Sequence, residues 1–343
     1  MNIAVVLPGW VGDAVMATPA LRALRSHFAG ARIIGVVKSY VAGVLSGGDW
    51  FDELLLMEGV AATAWALRRR RIDLAVLFPN SFRSALTAWL GGCKRRVGYA
   101  RYWRSPLLTD ALQPVRGSDR QPLPSPILDA YNKLAEHVGC PPPGWRMELD
   151  TTPDDEAAAA RVCDRAGFAA CAEVVCLNPG AAFGAAKHWP TPYFAELARD
   201  LAERRGAGIL VLCGPAERDL AREVVTTACH PRVRALSDLA PLSLGLTKAL
   251  VRRCDLLVTT DSGPRHFAAA FNRPVVTLFG PTHTAWTETY HPHAIHLQKR
   301  LDCGPCQRRV CPLGHHRCMR ELTPAEVFDA AARLLRGRKG AVA

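Results

Sequence analysis

Apolar residues along the first eighty positions fall into short, β-branched runs, separated by longer stretches in which they recur every three or four residues. Ile3–Leu7, Arg32–Val37, Leu54–Leu56 and Leu74–Phe78 have the near-continuous character of strands buried on both faces. Between the first two, Leu21, Leu24 and Phe28 share one helical face, while Arg22, Arg25 and Ser26 lie off it. The second half resumes the alternation, with strands predicted at Val174–Leu177, Gly208–Cys213, Leu256–Thr259 and Pro274–Phe279. Its helices are predicted over Tyr193–Arg204, Ala216–Cys229, Ser243–Val251 and Arg265–Phe271. Strand and helix taking turns imply βαβ units and parallel sheets covered on both faces, an α/β chain of two Rossmann-like domains.

The length of 343 residues exceeds one ordinary core and suits two domains of roughly 150 residues each. Periodicity fails from Tyr99 to Pro126, a run carrying Arg101, Tyr102, Trp103, Arg104, Arg116 and Arg120, and so long a structureless segment suggests a functional loop. A helix over Ile127–Val138 follows. Then Cys140-Pro141-Pro142-Pro143-Gly144 marks a domain edge, because successive prolines stiffen the chain. The boundary is expected between Gly144 and Gly167, giving domains 1–155 and 156–343 that face each other across a cleft.

Forty-three basic against thirty-one acidic residues leave a net charge of +12, so anionic partners are favoured over cationic ones. The charge is clustered at Arg68–Arg71, at Lys94, Arg95, Arg96, Arg101 and Arg104, and at Arg308 and Arg309. Phosphates of a small substrate, a lipid surface or a nucleic acid all fit such a surface, as does a merely solvated basic face. No secretory signal follows Met1, and no apolar run approaches the ~18 residues of a membrane span, so a soluble cytoplasmic protein is expected. Eight of the twelve cysteines are scattered and read as small buried hydrophobes.

Three strand-to-turn junctions carry the candidate chemistry. Asp255–Phe271, DLLVTTDSGPRHFAAAF, is a strand that stops in small polar residues and opens into a helix, leaving backbone N–H groups and a positive dipole end for an anion. Ser262 beside His266 could suggest a nucleophile and base, but the hydrolase elbow G-x-S-x-G is absent. The first βα turn, Leu7-Pro8-Gly9-Trp10-Val11-Gly12-Asp13, should lie at the carboxyl end of its strand, where parallel sheets bind ligands. Gly12 permits close backbone approach, and Asp13 reads either as a helix cap or as a general base within reach of a substrate hydroxyl. The turn Asn178–Pro190 is rich in small residues and delivers one lysine, Lys187, which suits a pyrophosphate leaving group or is an ordinary surface lysine. Neither G-x-G-x-x-G nor a Walker ending is present, which weakens dinucleotide and P-loop readings.

Taken together, PGWVGDAVMATPALRAL, LPNSFRSAL, NPGAAFGAAKHWP, DSGPRHFAAAFNRPVVTLFGPT and CGPCQRRVCPLGHHRCM resemble, in order and over nearly the whole chain, glycosyltransferase family 9, the lipopolysaccharide heptosyltransferases, and most closely the type II enzymes. The resemblance implies a GT-B fold, an acceptor on the N-terminal domain, an ADP-heptose donor on the C-terminal one, and inversion without a covalent intermediate. It implies that Asp13 is the catalytic base and that Lys187 holds the donor phosphates. Gly180, Ala182, Phe183, Ser262, Gly263 and His266 correspond to diphosphate or sugar contacts, Asp261 to the heptose hydroxyls, and Glu217 and Leu242 to ribose and adenine. Gly12, Asn80, Ser81, Arg83, Arg101 and Arg104 suit a lipid A-core acceptor, since Arg forks match phosphate and carboxylate alike. No cofactor is required, nucleic acid is not an expected partner, and a monomer peripheral to the cytoplasmic face of the inner membrane is expected. Pro264-Arg265, Ala182 and Phe183 depart from the family pattern and bear on which sugar nucleotide is preferred. The rival readings are a family 9 enzyme for another nucleotide sugar, a Rossmann-type oxidoreductase and a nucleic-acid-binding module.

Cys303, Cys306, Cys311 and Cys318, with His315 and His316 between them, have ligand-like spacing. A structural zinc site, a redox pairing and free thiols packed at a loop are the three alternatives.

Overall fold

The computed structural model describes residues 1–115 and 123–339, so Arg116 and Arg120 lie outside the described residues. By internal contacts the chain divides into two units, Met1–Asp150 with Ala285–Thr289, and Thr151–Thr284 with Tyr290–Ala343.

The first unit is one parallel sheet of β1 (Asn2–Val6), β2 (Arg32–Val37), β3 (Glu53–Leu56), β4 (Leu74–Leu77), β5 (Arg95–Tyr99) and β6 (Asp110–Leu112), in the order β3-β2-β1-β4-β5-β6. The order reverses at β1, whose residues pair in register with β2 on one side and β4 on the other. Val5, Val6, Leu74 and Val76 are buried as the continuous apolar runs require, with helices such as Thr18–His27 and Ile127–His137 against the sheet. Two strands depart from the sequence expectation. The run from Tyr99 to Pro126 is not structureless, because Asp110–Leu112 forms β6 on β5. Arg95–Tyr99 is itself a strand whose basic start hid it: Arg95 pairs with Asp110 at 2.8 Å, Lys94 with Asp73 at 2.8 Å, and Arg96 donates to the carbonyls of Cys93 and Leu107. Much of that basic cluster therefore stitches strand ends together.

The second unit repeats the plan with β7 (Val174–Asn178), β8 (Gly208–Val211), β9 (Val233–Ala235), β10 (Leu256–Thr260), β11 (Val275–Phe279) and β12 (Ala294–Gln298), all parallel, in the order β12-β11-β10-β7-β8-β9. Its core gathers Leu177, Val211, Val258 and Leu278 from the sheet with Phe194, Leu197 and Leu201 from the helix Thr191–Arg205 and Val327 and Phe328 from Pro324–Lys339. The helix Pro153–Ala166, missed in the sequence, opens on a capping box in which the Thr152 hydroxyl accepts from Asp155 N–H and the Asp155 carboxylate from Thr152 N–H. Among the described residues no helix is long and apolar enough to cross a membrane.

Candidate active site

In the first unit the carboxyl ends of β1 to β4 surround a cavity of about 920 Å³. Leu7 and Gly9 follow β1, Lys38 follows β2, Met57 follows β3, and Phe78 and Pro79 follow β4, so the cavity sits at the point where strand order reverses. Asp13 lines it from the short helix Val11–Met16, whose N-cap is Trp10 and has no side-chain capping bond. Behind it, Tyr131 is buried and stacked on Phe78, with ring centroids 4.9 Å apart. Burial, and then the neighbouring Asp13 charge, push the Tyr131 phenol well above its ordinary pKa, so it stays neutral.

Asn80, Ser81 and Arg83 line the same cavity. The Ser81 hydroxyl caps the helix Phe82–Leu90 by accepting from Ser84 N–H at 3.1 Å. Arg83 is exposed in the cavity wall. Gly12 is buried within its helix, and Gly9 takes the place on the wall that close backbone approach assigned to Gly12. Arg101 lines a separate cavity of about 110 Å³, together with Asn80, Asp129 and Lys133.

Arg104 lies beneath the main cavity with its side chain fully buried. Its guanidinium donates to the carbonyls of Tyr99 (2.8 Å) and Pro79, to the Ser84 hydroxyl (3.2 Å) and to Asn80 Oδ1 (3.2 Å). Burial brings its pKa down to about 10, so it remains cationic at neutral pH. With Asn80 Oδ1 engaged from below, Arg104 holds the Pro79–Ser84 loop and is itself hidden from the cavity surface. Gly98 makes room, since a Cβ there would stand 2.7 Å from the Arg104 guanidinium. Lys38 and Tyr40 were not singled out in the sequence, yet both line the cavity, and the Tyr40 hydroxyl donates to the Gly9 carbonyl. Their signal was position: each follows the carboxyl end of a predicted strand.

In the second unit the reversal lies between β7 and β10, and there the two strand-end loops are joined by side chains. Asn178 Nδ2 donates to the hydroxyls of Thr259 (3.0 Å) and Ser262 (2.9 Å), and the Thr260 hydroxyl donates to the Gly180 carbonyl (2.7 Å). Lys187 is buried and donates to the Asp261 carbonyl (2.9 Å) and carboxylate (2.5 Å). Arg265 approaches the other Asp261 oxygen at 3.4 Å, and the Thr282 hydroxyl donates to the first at 2.7 Å. Burial alone would raise the Asp261 carboxyl; the Lys187 and Arg265 charges and the bonds from Lys187 and Thr282 outweigh it and bring it to about 2. Asp261 is thus an anion beside the proposed phosphate site that the protein's own cations neutralise. Burial, with Arg265 nearby, holds His266 well below its ordinary pKa and therefore neutral.

Glu217 completes the group. Its carboxylate accepts from Gly214 N–H at 2.9 Å and lies against Gly180, where any Cβ would come within 2.3 Å of it. The Phe183 ring packs under Lys187, its centroid 4.7 Å from Nζ. The contacts bring Gly180, Phe183, Lys187, Glu217, Asp261 and Ser262 into one region, with Gly263 and His266 opening the adjoining helix Pro264–Ala270. Ala182 is exposed on the loop, and Leu242 packs against the core of the unit. Asn178, Thr259, Thr260 and Thr282 were not recognised in the sequence, because their part is to hold neighbouring loops.

The four cysteines of Cys303–Cys318 are free thiols, joined by no disulfide. Among the described residues no three His, Cys, Asp or Glu side chains gather where they could hold a metal ion. Cys303 is exposed, with Sγ 4.0 Å from His315 Nε2, while Cys318 sits on the short helix Arg317–Arg320 and packs against the core. The segment instead touches the Lys187 loop: the Arg309 carbonyl accepts from Ala186 N–H at 3.0 Å, and the Ala186 carbonyl lies 2.8 Å from His316 Nε2.

The model of glycosyltransferase family 9 (heptosyltransferase) matches residues 60–317. The chain is 27% identical to lipooligosaccharide heptosyltransferase 2 of Campylobacter jejuni and 27% identical to lipopolysaccharide heptosyltransferase 2 of Escherichia coli, each match covering 98% of this chain and 99% of the relative. The solved structure of Escherichia coli ADP-heptose lipopolysaccharide heptosyltransferase II superposes with a TM-score of 0.80 at 25% identity, over 99% of this chain and 100% of that one. Two Rossmann-like units of parallel strands are those of the GT-B fold. With a match over well over half its length and a shared fold throughout, this chain belongs to glycosyltransferase family 9, the heptosyltransferases.

Proposed function

We propose that this enzyme transfers heptose from ADP-heptose to the inner core of lipopolysaccharide with inversion at the anomeric carbon. The observation that carries the reading is the Asp13 carboxylate on the wall of a large cavity that also presents Lys38 and Arg83. A carboxylate there can take the proton of an acceptor hydroxyl, while the cations suit an acceptor bearing phosphate and carboxylate groups. In this reading the acceptor oxygen bonds to the anomeric carbon as the bond from that carbon to the diphosphate breaks. The proton passes to Asp13, and ADP leaves with the bonding pair.

The donor belongs to the second unit, where Lys187, Ser262 and the backbone at Gly180 and Gly263 meet the diphosphate, Glu217 the ribose and Leu242 the adenine. ADP-heptose is the donor named for the Escherichia coli enzyme of similar fold. No metal enters the reaction. Charge developing on the departing diphosphate is met by fixed cations and backbone N–H groups. In this reading the acceptor is a lipid-anchored saccharide and the enzyme works at the cytoplasmic face of the inner membrane.

A panel of sugar nucleotides in a thermal-shift assay, followed by transfer to defined core acceptors, tests this reading. ADP-heptose is expected to stabilise the protein most and to give a heptosylated product. Stabilisation and transfer with a different nucleotide sugar alone would replace the donor.

A further inference from the structure

Lys187, the one lysine of the Asn178–Pro190 turn, is already neutralised. Its ammonium contacts the buried Asp261 carboxylate at 2.5 Å, and the same carboxylate is shared with Arg265. A diphosphate arriving at this loop therefore meets a nearly balanced cluster. A second cation stands at the same ring. Arg309, from the Cys-rich segment, lies over the Phe183 ring with Cζ 5.5 Å from the centroid, while Lys187 Nζ is 4.7 Å from it. Phe183 thus carries two cationic neighbours, one internally compensated and one on the surface. Among the described residues no carboxylate pairs with Arg309 within 4.0 Å.

The backbone fixes this placement independently of the side chain. The Arg309 carbonyl accepts from Ala186 N–H at 3.0 Å, and the neighbouring Gln307 N–H donates to the Pro281 carbonyl at 2.8 Å. Gly184, at φ 148°, packs so closely on Arg309 that a Cβ would fall 2.6 Å from the Arg309 carbonyl oxygen and 3.0 Å from its Cβ. A side chain at residue 184 would therefore force the two segments apart. The Cys-rich segment is seated against the lysine loop and delivers an uncompensated guanidinium to it.

We infer that Arg309 is a donor-site residue whose guanidinium binds the diphosphate of the sugar nucleotide, and that the Cys-rich segment serves to hold it there. The inference rests on the reading of the second unit as the donor site. A guanidinium fork matches phosphate oxygens in a geometry that Lys187, tied to Asp261, does not offer while that pair persists.

The test uses the full-length protein and measures binding of ADP, AMP and adenosine to wild type, Arg309→Ala, Arg309→Lys and Arg308→Ala by calorimetry or competition. Arg309→Ala is expected to weaken ADP about tenfold, the scale of one lost charge-assisted contact, and AMP less. Adenosine should bind equally, Arg309→Lys should recover part of the loss, and Arg308→Ala, which removes the same charge one residue away, should match wild type. Equal ADP affinity in Arg309→Ala overturns the inference and leaves the donor reading intact. A parallel loss of adenosine, or an equal loss in Arg308→Ala, overturns it too, because loop collapse or net charge would then be the cause. Wild-type protein that binds none of the three overturns the donor reading itself.

Discussion

The buried cluster around Asp261 lends itself to a quantitative test by neutralising Lys187. Asp261 is 5% exposed, and its carboxyl is brought from 3.8 to about 2 by cations that overcome the cost of burial. At about 1.4 kcal/mol per pKa unit, the ionised form gains about 2 to 3 kcal/mol from its surroundings. Lys187→Met removes the nearer cation and leaves Arg265 at 3.4 Å, so the loss should fall at or just below the range of about 3–5 kcal/mol for breaking a buried pair. Asp261→Asn leaves two cations facing a neutral amide and should cost a similar amount. In the double variant the costs should fall short of additivity by about 2 kcal/mol. Urea unfolding at pH 7 reads this out, with the transition of the second unit as the one that moves. A coupling below about 0.5 kcal/mol would refute the reasoning. The pH dependence gives an independent sign. The folded pKa is depressed, so this stability is fully present above the unfolded value near 3.8 and is lost as pH falls from there toward 2. Asp261→Asn should lack that component of the acid transition.

Three further outcomes follow from other parts of the molecule. Arg104→Met removes the guanidinium bonds to the carbonyls of Tyr99 and Pro79, which keep Arg101 N–H and the Ser84 hydroxyl as donors, so the cost should be about 1 kcal/mol per lost bond, and it frees Asn80; denaturation should show the loss, and acceptor KM should rise with donor affinity unchanged. Gly98→Ala, which crowds the Arg104 guanidinium from β5, should raise acceptor KM in the same assay. Among the clustered cysteines, backbone N–H groups, chiefly that of His316, hold the Cys311 thiol below its ordinary pKa, while burial pushes Cys318 up to about 11. Iodoacetamide labelling followed by mass spectrometry should therefore modify Cys311 at a lower pH than Cys318.

Much of the architecture was legible because both sheets are parallel and covered on both faces, so β1, β4, β10 and β11 announce themselves as unbroken apolar runs. The strands that escaped, β5, β6, β9 and β12, lie at or next to the sheet edges. β5 begins with Arg95 and Arg96, whose charges are satisfied by Asp110 and by backbone carbonyls, contacts with no local periodicity. Within the candidate site, Asp13, Lys187 and Asp261 stand out because each lies in the segment between the carboxyl end of a strand and the body of the next helix, Asp13 in the first turn of its helix. The charge of Arg104 suggests a surface contact, whereas packing buries its side chain beneath Asn80. Arg309 was seen as part of a basic pair, but its relation to Phe183 joins segments more than a hundred residues apart. The cysteine spacing left three alternatives open, because spacing fixes separation along the chain and leaves the direction of each side chain open.

The central claim is that Asp13 takes the proton from the acceptor, and it is tested most directly by measuring heptose transfer and ADP-heptose binding together for wild type and Asp13→Asn. The amide keeps the size of the carboxylate but cannot accept the proton. Transfer should fall by about a hundredfold or more, the scale of a lost general base, while donor affinity stays within about twofold of wild type. Turnover retained at the wild-type rate by Asp13→Asn would contradict the account.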